Sequence, residues 1–364
     1  MKLVLTLRAR DEADVVDAHI AFHLNAGVDF VVAIDHRSED GTTEILESYA
    51  RDGALYLIRK QSDEMREGEW ATEMARLAAT RFEADWVISS DADEFWWPRG
   101  ESLKDVLVSV PERYGVVNAL LRQFVPRPDD DSFFAERMVA RVSGSAPIND
   151  PTSLFRPNLK AVHRADPDVT LSAGAHEVLE PQLLPLRGWY PIEFLHFPIR
   201  SFEQCDRKYG HLRQALGSGR NAYYDELQRA RDEGRFAEFY ASLTVDDGPL
   251  ERGLRDGSLV VDTRLRDSLR ALRLSEAREQ GREFELPRSG EGLLSFPRPS
   301  VVDEAAYAVD VAALGEADVV RLQRRLDVLE PRLLALERRP AARVYRKLRR
   351  VAKAMLRRDG SDAT

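Results

Sequence analysis

Over the first 120 residues, short unbroken apolar runs alternate with amphipathic stretches. The runs Lys2–Leu7, Val28–Ile34, Leu55–Ile58 and Trp86–Ser89 have the length and composition of buried strands. Between them, Val15–Asn25, Thr42–Tyr49 and Glu69–Phe82 place apolar residues at helical spacing. This β-α-β-α-β-α-β rhythm predicts an α/β fold, a mostly parallel sheet flanked by helices. Ligands of such sheets bind outside the carboxyl ends of the strands. From about residue 112 the pattern loosens: Gly115–Leu121, Met138–Val142 and Val169–Leu171 read as short strands between Pro- and Asp-rich loops. Residues 201–275 read as charged helices, and 281–300 as a Gly-, Pro- and Ser-containing linker. The expected division is a catalytic-type domain over 1–235, a helical and linker extension over 236–310, and amphipathic C-terminal helices over 311–364.

The fourth strand ends abruptly in acid, Ser90-Asp91-Ala92-Asp93-Glu94-Phe95. In extended chain, residues two apart share a side, so Asp91 and Asp93 are expected to converge on one cation. Hard carboxylate oxygens suit Mg²⁺ or Mn²⁺. The second strand also ends in acid, Asp35, followed by the turn His36–Gly41. Asp35 is placed to accept hydrogen bonds from a nucleotide's ribose or base, and Asp40 to cap the helix beginning near Thr42. Arg8, Arg10, Asp11 and Glu12 cluster after the first strand, where the positive residues meet a base or phosphate and Asp11 caps the next helix. His19 and His23 stand at helical spacing without the glutamate of the zinc-protease pattern, which makes them a packed face.

Charge adds one asymmetry. Residues 338–358 carry eight Arg and two Lys without an acid, +10 in a chain of net charge −9, so the remainder is near −19. An acidic body argues against nucleic acid as its ligand. In Val344–Leu356 the apolar residues share one helical face, so 338–358 is expected either to lie on anionic lipid or to be a solvated tail. Leucines at 322, 326, 329, 333 and 336 suggest a short coiled-coil seam through which 319–336 pairs two copies, although Pro331 interrupts it. A single cysteine, Cys205, excludes internal disulfides. No apolar run is long enough for a leader or a membrane span, so the expected location is cytoplasmic, with peripheral contact on the inner face of the plasma membrane through the tail.

Four motifs in order carry a resemblance: Leu5–Asp14, the Asp35–Thr42 turn, Asp91-Ala92-Asp93-Glu94-Phe95, and Leu195-His196-Phe197-Pro198-Ile199-Arg200-Ser201 with Lys208. Residues 2–212 resemble the GT-A glycosyltransferases, in particular the family 2-like group related to family 92. This chain departs in having Asp11 for Asn, Phe197 for Tyr and Arg200 for Lys. The resemblance implies inverting transfer of a sugar from a nucleotide-diphosphate donor to an acceptor hydroxyl, with a cell-envelope glycan or lipid-linked acceptor favoured by the basic tail. It implies Mn²⁺ or Mg²⁺ on Asp91 and Asp93, with His196 as a further ligand or diphosphate contact. Arg8, Glu12, Asp35, Asp91, Lys160 and either Arg66 or Arg76 are the expected donor contacts; residues 158–164, with Lys160 and His163, read as a loop. Glu177, then Asp150, then Glu94 are the candidates for the general base. Trp70, Trp96 and Trp97 either stack on a sugar or belong to the core. Two other readings are a sugar nucleotidyltransferase, which wants a glycine-rich basic loop absent from Arg8–Asp14, and a non-catalytic sugar- or membrane-binding scaffold.

Overall fold

The computed structural model describes residues 1–62, 65–130, 132–143, 159–181, 183–216, 222–280, 294–301 and 303–312. Asp150, the seam at 319–336 and the basic tail at 338–358 lie outside them. Residues 1–311 form one compact unit and 312–364 a second. In chain order the elements are β1 (Leu3–Ala9), α1 (Val16–Asn25), β2 (Phe30–His36), α2 (Thr42–Arg51), β3 (Leu55–Lys60), α3 (Glu67–Thr80), β4 (Trp86–Asp91), β5 (Glu94–Pro98), α4 (Leu103–Val108), β6 (Val116–Gln123), α5 (Phe134–Arg137) and β7 (Ala140–Val142). They continue as β8 (Leu159–Arg164), β9 (Thr170–Leu171), β10 (Val178–Glu180), β11 (Pro185–Leu186), β12 (Ile192–His196), α6 (Phe202–Leu216), α7 (Ala222–Asp232), α8 (Phe236–Leu243), α9 (Asp247–Asp256), β13 (Leu259–Val261) and α10 (Arg264–Gln280).

The main sheet runs β3-β2-β1-β4-β8-β6-β12-β5, with β11 beside β6. The first four strands are parallel, β8 is antiparallel to both neighbours, β12 is again parallel to β6, and β5 is antiparallel to β12. The expected mostly parallel α/β sheet flanked by helices is therefore what the chain forms. Because β1 and β4 pair in register from Leu3↔Trp86 to Arg8↔Asp91, Arg8 and Asp91 reach the carboxyl edge side by side.

One face of the sheet packs on α1 through Leu5, Leu7, Ile20, Phe22, Val31 and Ile88, and the other on α3 through Val4, Val32, Trp70, Met74 and Val87. Trp70, Trp96 and Trp97 are at most 4% exposed and belong to the core rather than to a sugar platform. Two readings need correction. Residues 159–164 are not a loop but β8, in the middle of the sheet; its Lys160 is buried because acids surround it. The end of the expected linker is packed: Phe296 is 4% exposed and meets Phe22 and Trp97 edge-on. Among the described residues no helix is long and apolar enough to cross a membrane.

Candidate active site

The acid motif is a tight reversal. β4 ends at Asp91, Ala92 and Asp93 make the turn, and β5 starts at Glu94. A turn lacks the side-to-side alternation of extended chain, so Asp91 and Asp93 enter different partner sets instead of converging. Asp91 accepts from Arg8 at 2.7 Å and from the Lys160 Nζ at 2.9 Å. Lys160 also donates to Glu94 at 2.5 Å, while Arg8 stands 3.4 Å from Glu67. Asp93, 2% exposed, accepts from Lys208 at 2.5 Å and lies 3.9 Å from the Arg200 guanidinium.

Burial opposes ionisation of Asp91, yet Lys160 and Arg8 outweigh it and hold the carboxyl below the ordinary range. The same contest at Asp93 is won by Lys208, His196 and Arg200. Glu94 goes the other way: burial raises its carboxyl against the pull of Lys160. Lys160 stays charged, because Asp91 and Glu94 overcome its own burial.

Behind the turn is a buried polar lattice. The Ser90 hydroxyl lies within 3.0 Å of the Asp91 carbonyl and 3.2 Å of the Glu94 carbonyl, accepts from the Trp96 indole at 2.9 Å, and meets His19 Nε2 at 3.0 Å. One hydroxyl proton serves the carbonyls, so His19 must donate from Nε2, which leaves its buried Nδ1 without a partner. The Trp96 amide donates to His23 Nε2 at 3.0 Å, and His23 Nδ1 therefore donates to the His19 carbonyl at 2.7 Å. Both imidazoles are neutral: burial depresses His19 well below the ordinary value and His23 to about 3.

The segment after β12 closes the opposite side. Arg200, 1% exposed, donates to Asp14 at 2.7 Å and to Glu12, tying 196–201 to the loop after β1. Burial lifts Glu12 to about 7 against Arg200 and Lys208. Asp14 and Lys208 were legible only as parts of motifs; no spacing rule marks them as partners of this site.

Other expected contacts are placed elsewhere or used otherwise. Arg76 is turned from the acids; its guanidinium donates to the carbonyls of Asp168 and Val169 and to Thr170. Arg66 pairs with Glu69 on the surface. Asp35 accepts from Ser38 and Thr43, both at 2.6 Å, so it shapes the turn after β2. Asp40 accepts from the Thr42 amide at 3.1 Å, while Gly41, at φ 102°, takes the cap position. Asp11 (φ 53°) and Arg37 (φ 57°) hold left-handed backbone after β1 and β2, a costly conformation that collects at functional sites. Glu177 is exposed, on the segment whose Gly174 and Ala175 line a small open cleft with Arg8, Ser89, Asp91 and Lys160.

The donor set has the chemistry of a hard divalent cation, but not yet its arrangement. Gln123 Nε2 donates to the Phe124 carbonyl, which fixes the amide so that Oε1 accepts from His196 Nδ1 at 2.9 Å. With Nδ1 so engaged, Nε2 is the ring atom that faces Asp93, 3.7 Å away, the side from which an imidazole held by its outer partner ligates a metal. Asp91 is kept from that pair by Lys160 and Arg8. Among the described residues no three His, Cys, Asp or Glu side chains are gathered closely enough to hold a metal ion, so the expected set Asp91, Asp93 and His196 is not preassembled.

No family model and no curated protein matches the sequence, so the family 2-like likeness stays a resemblance. Among solved structures, the chain is similar to residues 1–349 of S. aureus TarS in complex with UDP, at 13% identity over 82% of this chain and 100% of that one, TM-score 0.31. The same fragment with UDP-GlcNAc gives 13% identity, 82% and 99% coverage and a TM-score of 0.32. Glucosyl-3-phosphoglycerate synthase from Mycobacterium tuberculosis, in complex with Mn²⁺, UDP and glucosyl-3-phosphoglycerate, gives 17% identity over 34% of this chain and 44% of that one, TM-score 0.22. Likenesses this low assign no activity to this chain.

Proposed function

We propose that this chain transfers a sugar from a nucleotide-diphosphate donor to an acceptor hydroxyl, such as that of a cell-envelope glycan or lipid-linked glycan. The observation that carries the reading is the placement of Arg8 and Lys160 against Asp91 at the carboxyl edge of parallel strands, beside an open cleft. Such an edge is where open α/β sheets bind ligands, and these cations suit phosphate oxygens. The nucleoside lies over the ends of β1 and β2, where Asp11 and Arg37 keep their left-handed backbone, and the diphosphate meets Arg8 and Lys160.

In the step itself, an acceptor oxygen forms a bond to the anomeric carbon from the face opposite the leaving group. The bond from that carbon to the phosphate oxygen breaks, the nucleoside diphosphate leaves with the electron pair, and a carboxylate takes the acceptor proton. Glu177 is assigned as that base, being exposed beside the cleft, whereas Glu94 is buried against Lys160. Preplaced cations facing the departing oxygens stabilise charge that develops only in the transition state. A Mn²⁺ or Mg²⁺ ion held by Asp91, Asp93 and His196 would supply further neutralisation of the leaving diphosphate.

A thermal-shift panel of sugar nucleotides with Mn²⁺ tests the reading. A donor at about 100 times its Kd adds about 2.7 kcal/mol, a rise of about 4 °C for a unit this size. If no sugar nucleotide moves the transition with or without the metal, the reading fails.

A further inference from the structure

The acids and bases of the site neutralise one another before any ligand arrives. Lys160, with a side chain 5% exposed, sits between Asp91 at 2.9 Å and Glu94 at 2.5 Å. Arg8 spans Asp91 and Glu67, and Lys208 holds Asp93 at 2.5 Å. A divalent cation needs the same carboxylate oxygens that the ammonium groups occupy, and a diphosphate needs the same ammonium groups that the carboxylates occupy. We propose that Lys160 and Lys208 are exchangeable internal counter-ions, so that a divalent metal and a nucleoside diphosphate each bind this site more tightly when the other is present.

The inference rests on the sugar-nucleotide reading for its second ligand only. Metal alone would leave buried ammonium groups facing a dication, and nucleotide alone would leave buried carboxylates without counter-charge; each half-exchange is costly. Together the carboxylates pass to the metal and the ammonium groups to the diphosphate, and every charge keeps a partner. Lys160 is thus both a competitor of the metal and a holder of the nucleotide.

These two roles give opposite signs in one variant. Mn²⁺ binding is measured by the loss of its free electron-paramagnetic signal, and UDP binding by calorimetry, on the full chain and on Lys160→Met. In the unaltered protein, saturating Mn²⁺ tightens UDP by about 10- to 100-fold, in the range of strong site-site coupling. Lys160→Met binds Mn²⁺ alone about 10-fold tighter, while the Mn²⁺-induced gain for UDP shrinks several-fold. Lys208→Met, altered at a side chain 28% exposed on α6, moves both quantities the same way and serves if Lys160→Met does not fold. Equal or weaker Mn²⁺ binding by the variants overturns the exchange, as does UDP binding indifferent to metal. If UDP and the other nucleoside diphosphates bind under no condition, the sugar-nucleotide reading falls, while the comparison with Mn²⁺ alone still decides whether lysine and metal compete.

Discussion

Replacing Arg200 by methionine removes the counter-charge that ties the segment after β12 to the loop after β1. Removing one partner of a buried ion pair costs about 3–5 kcal/mol. The Asp14 side chain is 35% exposed, so water takes over part of its share, whereas that of Glu12 is only 12% exposed and bears most of the loss. Glu12 can also escape by taking up a proton, which points to the lower figure, about 3 kcal/mol. At about 2.1 cal/mol/K of unfolding entropy per residue, the unit of residues 1–311 changes by about 0.65 kcal/mol per kelvin, so Tm falls by about 5 °C.

The pH dependence follows from Glu12. Its folded carboxyl, at about 7, already exceeds the ordinary 4.5, so the folded state binds more protons and stability falls as pH rises between those values. In the variant the folded value moves higher still, and the decline continues past neutrality. Scanning calorimetry of both proteins should therefore show a deficit that is larger near pH ~8.5 than near pH ~5.5. A Tm within about one degree of wild type, or a deficit that shrinks as pH rises, would refute the assignment of Arg200 as the guard of a buried Glu12.

Two more perturbations separate scaffold from site. Glu193, 1% exposed in β12, pairs with Arg99, Arg122 and Arg264, and Glu193→Gln should lower Tm by about 5–8 °C in calorimetry. Against the opposition of burial those arginines hold its carboxyl well below the ordinary 4.5, so wild type keeps this contribution above that value and loses it only as pH falls through the folded one; Glu193→Gln should flatten that acid limb. Ser90→Ala strips the Trp96 indole and His19 Nε2 of their acceptor, at about 1–3 kcal/mol. Mn²⁺-dependent UDP binding by a Ser90→Ala protein of unchanged near-ultraviolet circular dichroism should weaken; unchanged affinity would mean that the lattice does not position the acid turn.

The parallel half of the fold was readable because β1, β2 and β4 are apolar on both faces, and continuous apolar runs announce buried strands. β8 and β12 were not, since each carries polar side chains inside the sheet: Lys160 and His163 in one, Glu193 in the other. These polar residues are buried because residues distant in sequence pair them, such as Asp91 with Lys160 and Arg264 with Glu193. Periodicity cannot register partners of that kind. At the site, the strand edge and the acids were legible, whereas the turn at Ala92-Asp93 was not, because two-residue alternation holds only while the chain stays extended. Arg76 shows the same limit: its position on α3 was clear, but its engagement with Asp168, Val169 and Thr170 depends on a contact some ninety residues away.

Release of nucleoside diphosphate is the most direct measure of the central claim. A panel of sugar nucleotides is incubated with Mn²⁺ and the full chain, and free diphosphate is followed alongside Asp93→Asn. The account predicts release from at least one donor, stimulated by Mn²⁺ and reduced at least about 100-fold in Asp93→Asn, the scale of losing a preplaced electrostatic contact to the leaving group. Absence of release from every donor, or release that Asp93→Asn leaves untouched, would contradict it.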